Sequence, residues 1–319
     1  MKLSKAIEGY TIAKLADGFS ENTINGYKTH YAQLIKFVGD VEVSKITSTQ
    51  LSEFILYLRQ DYKPRRLPGD ESPYKTTTIR NAWCAVRSLF GWLNEEIHLE
   101  RPDLDLHKPQ VSYPEIKPYS EEDIRKMIKV CEEPLTIERN GGLYQAMRRA
   151  ALRDKALVLF LLDTGVRASE CAQVRVKDLD IEEGSVTIRP VNSSRKNKAR
   201  IIKIGRVCKK ALWRYYQLRG GLFPTDPVFL TVEERAMNRN SIRMAIRKIG
   251  KAAGVDDCYP HRFRHTFAIQ FLRNGGDVFS LQYILGHTDS AMTRHYLSLA
   301  DMDITAAHHM ASPADRWRL

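Results

Sequence analysis

The chain has 319 residues, 43% hydrophobic and 28% charged, which is enough to bury the cores of two ordinary soluble domains. Its net charge of +12 and pI near 9.4 predict a polyanionic partner, most simply nucleic acid, because phosphate contacts release counterions. No apolar run is long enough to span a bilayer and no signal-peptide pattern is present, so we expect a cytoplasmic protein with no membrane partner.

The five cysteines stand singly along the chain, without a C-x-x-C pair. An odd number of isolated thiols predicts reduced cysteines and argues against a disulfide framework or a zinc finger. The chain also lacks the phosphate-binding motif G-x-x-x-x-G-K-[ST], and we expect neither ATP nor any other cofactor.

Residues 1–98 have the apolar periodicity of helices joined by polar turns, which predicts a helical domain. Ser20, Thr47 and Thr76 each open a helical pattern, because a hydroxyl side chain can bond the first backbone N–H groups. Helix starts of this kind also suit a phosphate backbone. The candidate DNA-binding residues around them are Thr23, Lys28, Lys75, Thr77, Arg80 and Arg87. The competing interpretation is a plain four-helix module with solvated surface charges.

The composition shifts over residues 99–118. Pro102, Pro109 and Pro114 stand among few apolar anchors, a pattern typical of an extended connector. We therefore predict a Pro-rich linker between the helical domain and a second domain.

Residues 119–319 combine helices with a small β region, and we predict one domain with a C-terminal tail. An acidic helix start at Ser120 is followed by a strongly apolar helix over residues 156–162. Two β patterns, 185–189 and 200–204, flank a polar basic tip and predict a hairpin.

The candidate catalytic residues are densest between Pro260 and Tyr296. Pro260 suits the first turn of a helix, and His261 and Arg264 then project from one face, three residues apart. His287 follows in a Gly-His turn. An arginine can grip a phosphate through two parallel hydrogen bonds, and a histidine exchanges protons near neutral pH. These side chains are what a phosphodiester-cleaving site needs when it uses no metal.

Other interpretations of the same residues remain open. Arg167 lies in a turn after the apolar helix, where a capping or surface role is equally ordinary. His261 and His265 have the i, i+4 spacing of zinc ligands, but no Glu lies between them as in H-E-x-x-H and no cysteine pair assists.

Taken in order, these motifs resemble the tyrosine recombinases, also called the phage integrase family. The matching segments are 164–170, the basic hairpin tip, 261–265, 285–287 and 295–296, with Ser20, Asn22, Thr23 and Tyr27 similar to the start of the family's core-binding domain. The resemblance implies a mainly α fold with a small antiparallel β-sheet. A helical core-binding domain and a catalytic domain would form a C-shaped clamp on DNA.

The resemblance also implies a role for each site residue. Tyr296 would attack a DNA phosphorus, leaving a 3′-phosphotyrosine and a free 5′-hydroxyl. Arg167 and Arg264 would clamp the non-bridging oxygens. His261 would take part in proton transfer around the tyrosine hydroxyl, and His287 would hydrogen-bond the phosphate.

A hairpin lysine would protonate the departing 5′-oxygen. The tip is longer than in many family members and offers Arg195, Lys196 and Lys198. Alignment backwards from Arg200 favours Lys196, with Lys198 second, whereas a guanidinium is a poor proton donor.

Family members act as homotetramers on two double-stranded DNA sites with inverted-repeat cores, and exchange strands through a Holliday junction. The implied function is site-specific recombination for integration, excision or multimer resolution, with an accessory DNA-bending protein or a second recombinase as possible partners. The C-terminal tail, which ends near Trp317, would dock on its own or a neighbouring subunit. The alternatives are a type IB topoisomerase and a non-catalytic DNA-binding protein.

Overall fold

The computed structural model describes most of the chain. The described residues are 1–64, 72–111, 117–133, 150–191, 199–220, 222–286, 296 and 312, with 135–139 and 142–146 as backbone. The chain divides into two compact units, Met1–Pro114 and Glu115–Leu319.

The first unit is helical. Its helices are α1 (Leu3–Ala16), α2 (Glu21–Val38), α3 (Ser48–Gln60) and α4 (Thr76–Ile97). The predicted caps are present at two starts: Ser20 accepts from the backbone N–H of Thr23, and Thr47 forms a reciprocal capping box with Gln50. The third cap is wrong, because Thr76 is the first helical residue of α4 and the N-cap, Lys75, makes no side-chain cap bond. The apolar faces enclose one core, in which Leu34, Leu51, Phe54, Leu89 and Phe90 are fully buried.

Part of the predicted linker packs on this unit. Leu106 is buried, and its carbonyl accepts a 3.1 Å hydrogen bond from the indole of Trp83. Arg101 donates two hydrogen bonds to the fully buried carboxylate of Asp103. Leu106 and Asp103 therefore anchor the residues just after α4 to the helical core.

The second unit contains seven α-helices and two small sheets within its described residues. Its elements are α5 (Glu121–Glu132), β1 (Leu135–Arg139), β2 (Gly142–Ala146), α6 (Ala151–Thr164), α7 (Ala168–Cys171), β3 (Leu179–Asp180), β4 (Ser185–Ile188), β5 (Arg200–Lys203), α8 (Arg206–Arg219), α9 (Arg239–Ala252), α10 (Pro260–Arg273) and α11 (Val278–Leu285). Strands β3, β4 and β5 form an antiparallel sheet in that order, and β1 pairs with β2. The predicted fold class, mainly α with a small antiparallel sheet, is confirmed. The β1–β2 ladder was not predicted.

Helix α6 is buried along most of its length, from Ala156 to Leu161. Its helical neighbours are α5, α8, α9 and α10. A helix that is apolar on all sides has to lie inside a domain. The C-terminus of α6 is thereby held against α10, which carries His261 and Arg264.

No helix in the described part of the chain combines the length and apolar character needed to cross a membrane.

Candidate active site

Arg264 lies at the centre of the site and is only 1% exposed. One guanidinium nitrogen donates to the carbonyl of Gly165 at 3.0 Å, and the other donates to the carbonyl of Leu285 at 2.8 Å. These carbonyls belong to the C-terminal ends of α6 and α11, where the helix dipole is negative. Burial, and then the charge of Arg167, lowers the pKa of Arg264 to about 9, so the group stays charged at neutral pH.

Arg167 is placed by the turn that follows α6. Gly165 has φ +60°, and a Cβ there would come within 2.5 Å of the Phe267 ring, so the turn requires glycine. Arg167 is the N-cap of α7, and its side chain is 39% exposed. Its backbone N–H and its guanidinium both donate to Glu170, at 2.9 and 3.2 Å. The remaining donors of Arg167 thus lie on an accessible side chain, whose charge acts on Arg264.

Glu170 and Arg200 form a buried ion pair that the sequence analysis did not single out. Two guanidinium nitrogens of Arg200 donate to the two oxygens of Glu170 at 3.1 and 3.0 Å, and its Nε donates to the carbonyl of Ile284 at 2.7 Å. Burial acts to raise the pKa of Glu170, but the hydrogen bonds and charge of Arg200 and Arg167 outweigh it and lower that pKa. The carboxylate therefore holds Arg167 on one side and Arg200 on the other.

His261 lies one turn before His265 on α10. Taken as a whole residue, His261 is exposed. Displacement of water by the surrounding protein lowers its pKa, and the charges of Arg264, Arg167 and Arg239 lower it further. The two imidazoles meet edge to face, with ring centroids 4.5 Å apart.

Tyr296 is 4% exposed and packs in an apolar cluster with residues of α10 and α11, including Leu272, Leu281 and Leu285. Its hydroxyl lies 2.8 Å from Nδ1 of His265. Burial raises the pKa of Tyr296, and the charges of Arg264 and Arg167 oppose that rise. The tyrosine predicted as nucleophile is therefore within the electrostatic reach of both predicted arginines.

The remaining predicted catalytic residues, Lys196 and His287, lie outside the described residues, as do Lys198 and Trp317. The elements next to them in sequence nevertheless contact the site: Arg200 of β5 binds Glu170, and Leu285 of α11 binds Arg264. Strands β4 and β5 pair directly, with Ile188 opposite Arg200. Gly286 closes α11 with φ +63° directly before residue 287.

Of the six candidate DNA-binding residues of the first unit, five lie in the first halves of α2 and α4 or directly before α4, and Arg87 lies in the middle of α4. Thr23 and Lys28 are exposed on α2, and Lys75 and Thr77 are exposed at the start of α4. Arg80 is half-buried. For these five residues DNA contact stays a prediction.

Arg87 has an intramolecular partner. Its guanidinium donates to the carbonyl of Asp103 at 3.2 Å and lies 3.6 Å from the carboxylate of the same residue. It also stacks over the Trp83 ring, 5.3 Å from the centroid. The structure thus assigns Arg87 a structural contact, and its DNA contact stays a prediction.

A metal-binding cluster is not found among the described residues, where no three His, Cys, Asp or Glu side chains come together.

The fold is that of DNA integrases and recombinases. A Tn1549 transposon integrase solved with circular intermediate DNA superposes with a TM-score of 0.72 at 17% identity, over 93% of this chain and 94% of the other. A lambda integrase dimer bound to a COC′ core site gives a TM-score of 0.69 at 13% identity, over 92% and 97%.

Family and sequence comparisons agree with the fold. The model of the Phage integrase family matches residues 120–302, and that of the phage integrase N-terminal SAM-like domain matches residues 8–98. The chain belongs to the phage integrase family. Tyrosine recombinase XerA of Saccharolobus solfataricus is 28% identical over 92% of this chain and 87% of its own length. Tyrosine recombinase XerC of Staphylococcus carnosus is 25% identical over 92% of each chain.

Proposed function

We propose that this protein is a site-specific DNA recombinase that cleaves and rejoins duplex DNA through a 3′-phosphotyrosine on Tyr296. One observation carries the proposal: four predicted catalytic side chains lie close enough to affect one another's charge, although they are spread over 130 positions of sequence. They are Arg167, His261, Arg264 and Tyr296. Membership of the phage integrase family supports the same reaction class.

In the proposed cleavage step the Tyr296 hydroxyl gives up its proton, with His261 as the proposed acceptor, and its oxygen forms a bond to phosphorus. The bond from phosphorus to the 5′-oxygen breaks at the same time. Negative charge grows on the non-bridging oxygens, and Arg167 and Arg264 stabilise it. Loss of one such preorganised donor typically costs about 10² to 10³ in rate. Burial of Arg264 makes its charge more effective, because water does not screen it.

Lys196 is the proposed donor of a proton to the departing 5′-oxygen, with Lys198 as the alternative, and His287 is proposed to bond the phosphate. Rejoining is the reverse reaction, in which a 5′-hydroxyl attacks the phosphotyrosine. The ester conserves the energy of the broken bond, so the cycle as proposed uses neither ATP nor a metal ion.

The proposed DNA surface includes α9 of the second unit. Arg239, Arg243, Arg247 and Lys251 are all exposed and follow one another at every fourth position. At 1.5 Å per residue this row of cations extends over about 18 Å of helix. Arg239, at its first end, is close enough to lower the pKa of His261. The row therefore leads from the candidate site along a surface suited to a phosphate backbone.

The proposed assembly is four protomers on two DNA sites, with strand exchange through a Holliday junction and with the C-terminal tail docked in cis or in trans. Integration, excision and multimer resolution all follow from the same chemistry.

The test is covalent capture of DNA. The full chain is incubated with sheared genomic DNA of its host, and SDS-resistant complexes are recovered and sequenced. Wild-type protein should capture fragments that share one inverted repeat, which supplies the substrate for later experiments. Tyr296→Phe should bind those fragments with unchanged affinity and form no adduct.

An adduct formed by Tyr296→Phe would show that another residue is the nucleophile. Failure of the wild type to form any adduct, with DNA binding intact, would favour a non-catalytic DNA-binding protein.

A further inference from the structure

Two histidines lie on consecutive turns of α10 and have different surroundings. His261 is exposed, and the charges of Arg264 and Arg167 act on its ring. His265 is half-buried, and its Nδ1 is within hydrogen-bond distance of the Tyr296 hydroxyl, at 2.8 Å. The motif comparison assigned proton transfer around the tyrosine to His261, but the histidine that contacts the hydroxyl is His265.

The direction of this hydrogen bond depends on the imidazole tautomer, because a protonated hydroxyl can either donate or accept. Burial raises the pKa of Tyr296 above its ordinary value of 10.0, so the hydroxyl keeps its proton at neutral pH. A hydroxyl that donates to Nδ1 requires a neutral imidazole whose proton is on Nε2. In this arrangement the hydroxyl proton points at Nδ1, so the lone pairs of the oxygen point away from the imidazole.

The contact also constrains where that oxygen lies. The Tyr296 ring is held by the apolar side chains of α10 and α11. The 2.8 Å hydrogen bond then restricts the position of the hydroxyl relative to α10, which also carries Arg264. The position of the Tyr296 hydroxyl and the position of Arg264 are thus both set by α10.

We propose that His265 holds the Tyr296 hydroxyl in its attacking position by accepting a hydrogen bond at Nδ1. The proposal rests on the proposed function, because it concerns the residue that would attack DNA. A displacement of about 1 Å in a reacting group can cost on the order of 10² in rate. Loss of the acceptor should therefore slow cleavage to about that extent and leave DNA binding unchanged.

The experiment compares two substitutions of His265 in the full chain, with nicked duplexes made from the fragments that wild-type protein captures. His265→Asn keeps an acceptor atom close to the position of Nδ1, and His265→Phe keeps a ring but removes the acceptor. Adduct formation is timed at saturating DNA, and affinity and melting temperature are measured alongside. Gln270→Ala, an exposed change on the same helix, is the matched control.

His265→Phe should form the adduct about 10²-fold more slowly than wild type, with unchanged affinity. Its melting temperature should fall by no more than a few degrees, because the change also removes one buried hydrogen bond. His265→Asn and Gln270→Ala should remain within a few-fold of wild type. Should the Phe variant fail to fold, His265→Ala takes its place with the same expected loss.

Two results would overturn the role of His265: a wild-type rate in the variant that lacks the acceptor, or an Asn variant as slow as that one. Both results are measured relative to wild-type protein, so they require that wild-type protein forms the adduct. If wild-type protein forms no adduct, the proposed function is wrong, and the role of His265 is not what failed.

Discussion

At the scale of single residues, Arg200 connects three segments that carry proposed catalytic groups. It comes from β5, next to the hairpin tip; it binds Glu170, which holds Arg167; and it binds the carbonyl of Ile284, near the end of α11. A Cβ on Gly286 would come within 2.9 Å of its guanidinium. Arg200 is 6% exposed, so these charges interact away from water.

Arg200→Met should lower the free energy of unfolding by about 3–5 kcal/mol, because it leaves the carboxylate of Glu170 buried with one ion-pair partner fewer. Urea unfolding, followed by circular dichroism, measures the loss. Arg214→Met on the exposed face of α8 is the matched control and should stay within about 0.5 kcal/mol of wild type. A loss below about 1 kcal/mol for Arg200→Met would mean that the pair contributes little to folding.

At the scale of elements, the ends of helices α6, α7 and α11 hold the two proposed catalytic arginines in place. The C-terminus of α6 and the C-terminus of α11 both supply carbonyls to Arg264, and the N-terminus of α7 carries Arg167. Helix α9 differs, because it contributes a long exposed row of cations. A row of this kind is expected to affect binding to DNA rather than the stability of the fold.

The double substitution Arg243→Gln with Arg247→Gln should weaken DNA binding and make the dependence of log K on log salt shallower by about 2, since each phosphate contact contributes about 0.9. The measurement is DNA affinity over a series of salt concentrations. Lys210→Gln with Arg214→Gln, two exposed cations four residues apart on α8, removes the same charge. An equal change of slope in that control would trace the effect to total charge and not to α9.

At the scale of the whole molecule, each unit has its own hydrophobic core. The first core is completed by residues beyond α4, because Leu106 is buried in it and Asp103 is fully buried beside Arg101 and Arg87. The boundary predicted at residue 98 leaves these contacts out, and the boundary after Pro114 includes them.

A fragment of residues 1–114 should therefore unfold cooperatively on its own and be more stable than a fragment of residues 1–98. Burial of one leucine side chain contributes about 1.5–3 kcal/mol, and the hydrogen bond from Trp83 adds to it. Thermal and urea unfolding of the two fragments give the difference. Equal stabilities would mean that residues 99–114 act only as a connector, as their composition predicts.

The sequence by itself determined what depends on local pattern. Apolar periodicity located α2, α3 and α4, capping residues marked the starts of α2 and α3, and Pro260 marked the start of α10. The apolar run over residues 156–162 predicted a helix there, and α6 (Ala151–Thr164) contains it. Motif order and spacing were also enough to identify the family, and the family model confirms it.

Only the tertiary structure decided which side chains meet. Arg200 lies 30 residues from Glu170 and 84 from Ile284, and His265 lies 31 residues from Tyr296. No periodicity encodes such contacts, because they depend on how elements pack and not on the spacing within one element. The resemblance assigned proton transfer around the tyrosine to His261, and that role stays a prediction. The contact between His265 and the hydroxyl depends on how residue 296 packs against α10, so local sequence could not show it.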